Sequence, residues 1–207
     1  MDALLFGKGL LLGLAIAAPL GPIGALCINR TLERGFWAGV AGGLGTAIAD
    51  GVYAALAAAG FTALGSFLGW ADLPLQVFGG LFLLYLGVKG LRPRSAVSAA
   101  SIGARGLVST TAATFLLTIA NPATILSFAA IFARLGLTAG EGGWTGAFLV
   151  AGVFTGSLAW WFFLSGSVTL ARSRLPQGFT VIVARISAAI LIVFGLFALV
   201  HAGLTAI

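Results

Sequence analysis

Six apolar runs, each long enough to cross a bilayer, follow one another along this 207-residue chain. A helix rises 1.5 Å per residue, so about 20 apolar residues cover the hydrocarbon. The runs are Leu4 to Ile28, Trp37 to Leu64, Leu73 to Leu91, Leu107 to Ala133, Trp144 to Leu170 and Phe179 to Leu204. Length of apolar run defines them, not amphipathic period. Water is the wrong solvent for such a chain. It is 60% hydrophobic and 8% charged, whereas a soluble domain carries about a quarter charged residues. Apolar side chains face lipid freely, and in lipid a helix satisfies its own backbone. The expected fold is an all-α polytopic membrane protein of six transmembrane helices, one domain over residues 1–207. Met1 to Ala18 resembles a secretory signal in its Ala-rich end. Asp2, Lys8 and the apolar sequence continuing to Ile28 make it the first span instead.

Basic residues set the expected orientation. Arg30 and Arg34 follow the first run; Lys89 lies at the end of the third and Arg92, Arg94 and Arg105 follow it; Arg172 and Arg174 follow the fifth. The second loop holds only Asp72, and the fourth holds Arg134 with Glu141. Lys and Arg mark cytoplasmic loops, so the odd loops lie inside and both termini outside. The net charge of +6 is topogenic on this reading. A nucleic-acid surface would need a clustered basic face with interleaved aromatics, which is missing, so no nucleic acid is expected.

The link 93–106 divides the chain into two weakly similar halves, 1–92 and 107–207. Pro19-Leu20-Gly21-Pro22 interrupts the first run, and Asn121-Pro122 interrupts the fourth. A small-residue helix follows in each half, from Gly43 to Asp50 and from Gly152 to Trp160. Three spans per half make the second copy run inverted. Inverted repeats with helices broken at corresponding places are a sign of secondary transporters.

Asp50 is the residue most able to carry function. It falls 13 residues beyond Trp37, about 20 Å along the helix and near the bilayer midplane. A carboxylate there costs about 2.5 kcal/mol or more. It must face a polar cavity, meet a partner, or hold a proton. A substrate ammonium, a proton, or both in turn are the functional readings; a helix–helix anchor is the plain one. Tyr53 lies three residues on, on the same face, placed to hydrogen-bond Asp50.

The breaks at Pro19, Gly21 and Pro22 and at Asn121 and Pro122 come next. Proline removes a donor and frees a carbonyl one turn back. Backbone left open at membrane depth survives only inside protein or beside water, where it can bind the two charges of a zwitterion. A simple kink is the plain alternative. The 31 glycines, with Gly39 and Gly43 at GxxxG spacing, read first as close helix packing. Trp160 and Trp161 either line a pocket, where an indole attracts an ammonium, or pack against neighbours and lipid.

Other chemistries find little. Cys27 and His201 are the single cysteine and histidine, too few for a metal cluster, and no cofactor is implied. A metal-ion exporter would want several soft or acidic ligands where one deep carboxylate stands. Ser165-Gly166-Ser167 with His201 suggests an intramembrane hydrolase. Phe163 occupies the place of the required first glycine, and the charge count sends Ser165 and His201 toward opposite sides of the membrane, so no enzyme is expected.

Taken together, several stretches resemble the LysE/RhtB amino-acid exporters over essentially the full length. They are Gly21-Pro22, Arg30 to Gly35, Asp50, Phe82 to Lys89, Asn121-Pro122 and Ser157 to Trp160. The resemblance implies proton-driven efflux of small amino acids or related metabolites across a bacterial-type plasma membrane. Lysine exporters tend to follow Gly-Pro with Gln-Asn, where this chain has Ile23 and Gly24. They also tend to carry an acid where this chain has Ser127. Without a second acid, a neutral or zwitterionic substrate is favoured over a dibasic one. The threonine/homoserine-type branch often has Pro-Gly-Pro, where Leu20 stands in the first proline's place.

The expected partners are a small amino-acid-like substrate, protons and the bilayer, with a second copy of the chain also allowed. The rival expectation is a scaffold that binds partners through glycine-rich faces. A polar pocket at Asp50 would favour transport; an Asp50 sealed by one interhelical hydrogen bond would favour the scaffold.

Overall fold

A computed structural model describes residues 2–19, 21–58, 61–91, 103–121, 124, 127–128, 144–172, 174 and 178–205. The described residues form seven helices: α1 (Asp2–Ala17), α2 (Pro22–Arg34), α3 (Phe36–Ala58), α4 (Phe61–Leu91), α5 (Ala104–Ile119), α6 (Trp144–Arg172) and α7 (Phe179–Thr205). Phe36–Ala58, Gly146–Arg172 and Val181–Leu204 are each long and apolar enough to cross a membrane. α1 and α2 together form a fourth candidate span, bent by 82° at the break between them. Gln76–Leu91 and Ala104–Ile119 are shorter apolar helices. Leu11, Phe78, Val108, Phe163, Phe197 and Leu204 are all well exposed. So much bare apolar surface is at home in lipid, not in water.

α3 is the central helix. Its buried residues run unbroken from Ala38 to Gly43, so it is covered all round rather than along one stripe. α6 and α5 pack on it, and α1 packs on α6. α4 pairs with α7, and α2 touches α3, α7 and α6.

Small residues allow the close approaches. A Cβ on Gly9 or Gly13 would strike the α6 backbone at Leu149 and Val153, and one on Gly156 would strike Leu10. α1 and α6 therefore run parallel with their backbones nearly touching. α3 and α5 are parallel too: Thr111 Oγ1 donates to Ala41 O (2.8 Å) and Thr114 Oγ1 to Gly42 O (2.7 Å). Small residues with interhelical hydroxyl bonds are the usual adhesive between helices in lipid. α3 and α6 are antiparallel, Gly39 lying by Ser165, Gly43 by Trp161 and Gly146 by Ala58. α4 and α7 are antiparallel as well, Gly80 meeting Leu199 and Gly87 meeting Ala188.

Several boundaries differ from the sequence reading. The first run is two helices, and the second continues past Ile28 to Arg34. α2 is amphipathic: Ile23, Leu26, Cys27 and Leu32 are buried and Arg34 is exposed, so apolar length alone missed its end. Arg30 is thus helical and reaches Thr110 O (3.4 Å). The turn that follows is Gly35 alone, at φ 89°, with its N–H on Thr31 O, a conformation glycine adopts without strain. α3 ends at Ala58 rather than Leu64, and α4 begins at Phe61, so Asp72 is helical, not in a loop. Pro74 sits inside α4. The link 92–102 and Pro122 lie outside the described residues.

Candidate functional site

Asp50 is buried, with 1% of its surface exposed. It stands about 21 Å from the start of α3 and about 12 Å from its end, past the middle because α3 stops early. Ser157 Oγ of α6, itself fully buried, donates to Asp50 Oδ2 at 2.7 Å. Among the described residues no basic side chain pairs with Asp50. By the criterion set above, this is the sealed arrangement, not the open polar pocket. A transporter also seals its site between its two open states, so the sealed geometry fits both an anchor and a closed transporter.

Tyr53 is equally buried but bonds elsewhere than expected. Its hydroxyl donates to Ile119 O (2.5 Å), not to Asp50. Ile119 ends α5, and the last carbonyls of a helix have no partner within it. Tyr53 thus ties α3 to the point where α5 breaks, and its ring stacks on Phe128 (5.4 Å).

Both breaks are present. α1 stops at Ala17, Gly21 N–H turns back to Pro19 O (3.0 Å), and α2 starts on Pro22. Proline fits the first helical position, where its missing donor would be unpaired anyway. Pro22 is buried, Gly21 half-buried and Pro19 exposed. Gly21 at the α2 N-cap brings no side-chain cap, and the positive end of the helix dipole lies at the break. In the other half, Asn121, half-buried, donates its N–H to Thr118 O (3.2 Å) after α5 ends. Ser127 is exposed; it is not gathered with Asp50.

The structure thus collects Asp50 and Tyr53 of α3, Ser157 of α6 and the end of α5. α1 joins from the other side, since Gly13 fits against Val153 and Ser157. Trp160 and Trp161 pack with Ala17, Ile23 and Cys27, beside the first break. Sequence reasoning missed Ser157. It stood at the head of a family-like stretch, but nothing local named its partner, since the contact joins residues 107 apart. Also missed were Trp161 as a buried residue (3% exposed) and the threonine seam of Thr46, Thr114 and Thr118 between α3 and α5.

Gly39 and Gly43 serve packing, as the plain reading expected. Side chains of the neighbouring helices occupy the space: Thr31 and Ser165 at Gly39, Trp161 at Gly43. Trp160 Nε1, Trp161 Nε1 and Ser165 Oγ are buried with no hydrogen-bond partner among the described residues. Such groups each cost about 1–3 kcal/mol where water cannot reach them. Among the described residues no three of His, Cys, Asp or Glu come together.

Comparison with known proteins adds an independent line. The chain is 29% identical to the "Putative amino acid efflux protein YcgF" of Bacillus subtilis (strain 168), over 93% of its own length and 94% of that protein's. No solved structure matches it. The family description "LysE type translocator" matches residues 14–202. With that match covering most of the chain and the helices packed as described, the protein belongs to the LysE type translocator family.

Proposed function

We propose that this protein exports amino acids or related small zwitterionic metabolites from the cytoplasm in exchange for protons. The observation that carries the reading is the translocator-family match over residues 14–202, with Asp50 the buried acid that a proton and an amine would share. The efflux role named for the Bacillus subtilis relative supports the direction and the substrate class.

We infer two inverted three-helix halves, a reading that the directions of the helix contacts support. If α1–α2, α3 and α4 correspond to α5, α6 and α7, exchanging the halves turns the α1–α6 contact into the α5–α3 contact. Both of these are parallel. The α3–α6 and α4–α7 contacts map onto themselves, and both are antiparallel. Six alternating passes produce those directions, with the basic ends of α2, α4 and α6 inside and both termini outside. Asp50 then lies where the halves meet.

In the cycle, the substrate amine enters from the cytoplasm and pairs with ionised Asp50, displacing the Ser157 contact. The halves rock, the site opens outside, and an external proton neutralises Asp50 and releases the amine. Protonated Asp50, held by Ser157, returns without carrying a bare charge through lipid. The test is counterflow into proteoliposomes with each proteinogenic amino acid. Trans-stimulated uptake of at least one is expected. An inert protein across the whole panel would leave the rival reading, in which Asp50 only fastens α3 to α6.

A further inference from the structure

Ser157, Trp161 and Ser165 follow one another at four-residue spacing on the enclosed face of α6, each no more than 3% exposed. Opposite them on α3 stand Asp50, Gly43 and Gly39. Residues four apart lie one above another on a helix, so the three form a stripe running from Asp50 toward the Arg172 end, with Trp161 packed among Ala17, Ile23 and Cys27. Ser157 is satisfied by Asp50. Trp161 Nε1 and Ser165 Oγ have no hydrogen-bond partner among the described residues. An indole N–H can only donate, and a hydroxyl donates one proton. Two buried donors without acceptors at membrane depth call for an acceptor-rich guest.

We propose that Trp161 Nε1 and Ser165 Oγ, one and two turns along α6 from the Asp50–Ser157 pair, form a binding subsite for the substrate's carboxylate. The inference rests on the amino-acid export reading and extends it from the amine to the other end of the molecule. Ser157 and Trp161 are separated by about 6 Å of helical rise. With charge-assisted hydrogen bonds of about 2.8 Å at either end, a compact α-amino acid bridges that interval. Gly43 gives the indole its seat, since any Cβ there would collide with the Trp161 side chain. Ser165 sits at the next notch, facing Gly39 beside Thr31. The stripe offers one acid and two donors, so it matches a single ammonium and a single carboxylate. It selects a zwitterion over an amine that lacks the acid group.

The experiment compares an amino acid with its α-carboxamide. The proteinogenic amino acid carried best by wild type in counterflow is used, and the amide is its competitor. The readout is the amide Ki divided by the amino-acid KM, a ratio that does not depend on how much protein folds. Wild type should prefer the acid by about tenfold to a hundredfold, the range of one or two hydrogen bonds to a charged group. Trp161→Phe keeps the ring and loses the N–H; Ser165→Ala loses the hydroxyl. Each should bring the ratio down by about fivefold or more, chiefly through the amino-acid KM. An unchanged ratio in both variants overturns the subsite while leaving amino-acid export intact. A wild type that carries none of the panel overturns both. If Asp50→Asn transports as wild type while Trp161→Phe loses the preference, the role of Asp50 fails and the subsite stands.

Discussion

Ser157 Oγ on α6 donates to Asp50 Oδ2 on α3 at 2.7 Å, inside the antiparallel contact of the two helices. That bond joins the buried acid of one proposed half to the hydroxyl of the other. It gives one oxygen of a buried carboxyl a partner from the neighbouring helix.

Removing the hydroxyl should therefore weaken the fold and slow transport together. Ser157→Ala leaves Asp50 without that partner, and the expected cost is about 1–3 kcal/mol. Thermal unfolding in detergent reads it. A variant with wild-type melting and wild-type counterflow would show that the contact matters for neither.

Tyr53→Phe separates ring from hydroxyl. The ring still stacks on Phe128, but Ile119 O at the end of α5 loses its donor. The variant should unfold at a lower temperature, by about 1–3 kcal/mol. Asp50 is not the group that Tyr53 holds, so the pH dependence of transport should not move. A shifted pH profile would contradict the assignment.

Glycine substitutions should divide by what lies opposite. A Cβ on Gly13 strikes Val153 backbone, whereas one on Gly7 meets nothing within 4 Å. Gly13→Ala should destabilise by about 1–3 kcal/mol through overpacking. Gly7→Ala, in the same helix, should be neutral or slightly stabilising through helix propensity. Equal melting of the two variants would contradict the close α1–α6 approach.

Orientation can be read because Cys27 is the single cysteine and is buried at 1% exposure. In a Cys27→Ser background, Arg174→Cys should react with an impermeant maleimide only from the cytoplasmic side. Gly203→Cys should react only from outside. The reverse pattern would invert the charge-based topology.

Of the six apolar runs, the second, fifth and sixth hold helices long and apolar enough to cross a membrane and the first is a bent pair, because hydrocarbon thickness dictates such lengths. The breaks at Pro19 to Pro22 and at Asn121 were equally visible, since proline leaves a mark in any helix. Amphipathic α2 escaped notice up to Arg34 because half of its surface is polar. The early stop of α3 at Ala58 escaped because apolar sequence continues across the turn. Asp50 stood out as a deep acid, but its bond to Ser157 depends on which turns of α3 and α6 meet. Tyr53 was given the nearer acid as its partner, yet a helix end supplied by α5 took its proton. Sequence spacing ranks neighbours within a helix and is silent about those across an interface.

The measurement closest to the central claim is proton-driven counterflow for wild type and Asp50→Asn, with the pH stepped on one side of the proteoliposomes. The side facing the Gly203 end of α7 is taken as outside. Acidifying that side protonates Asp50 where substrate leaves, so wild-type export should accelerate. In Asp50→Asn, which keeps the side chain's shape and an acceptor for Ser157, the pH response should vanish and transport fall by about tenfold or more. Transport in the mutant that is unchanged and still driven by pH would contradict the account.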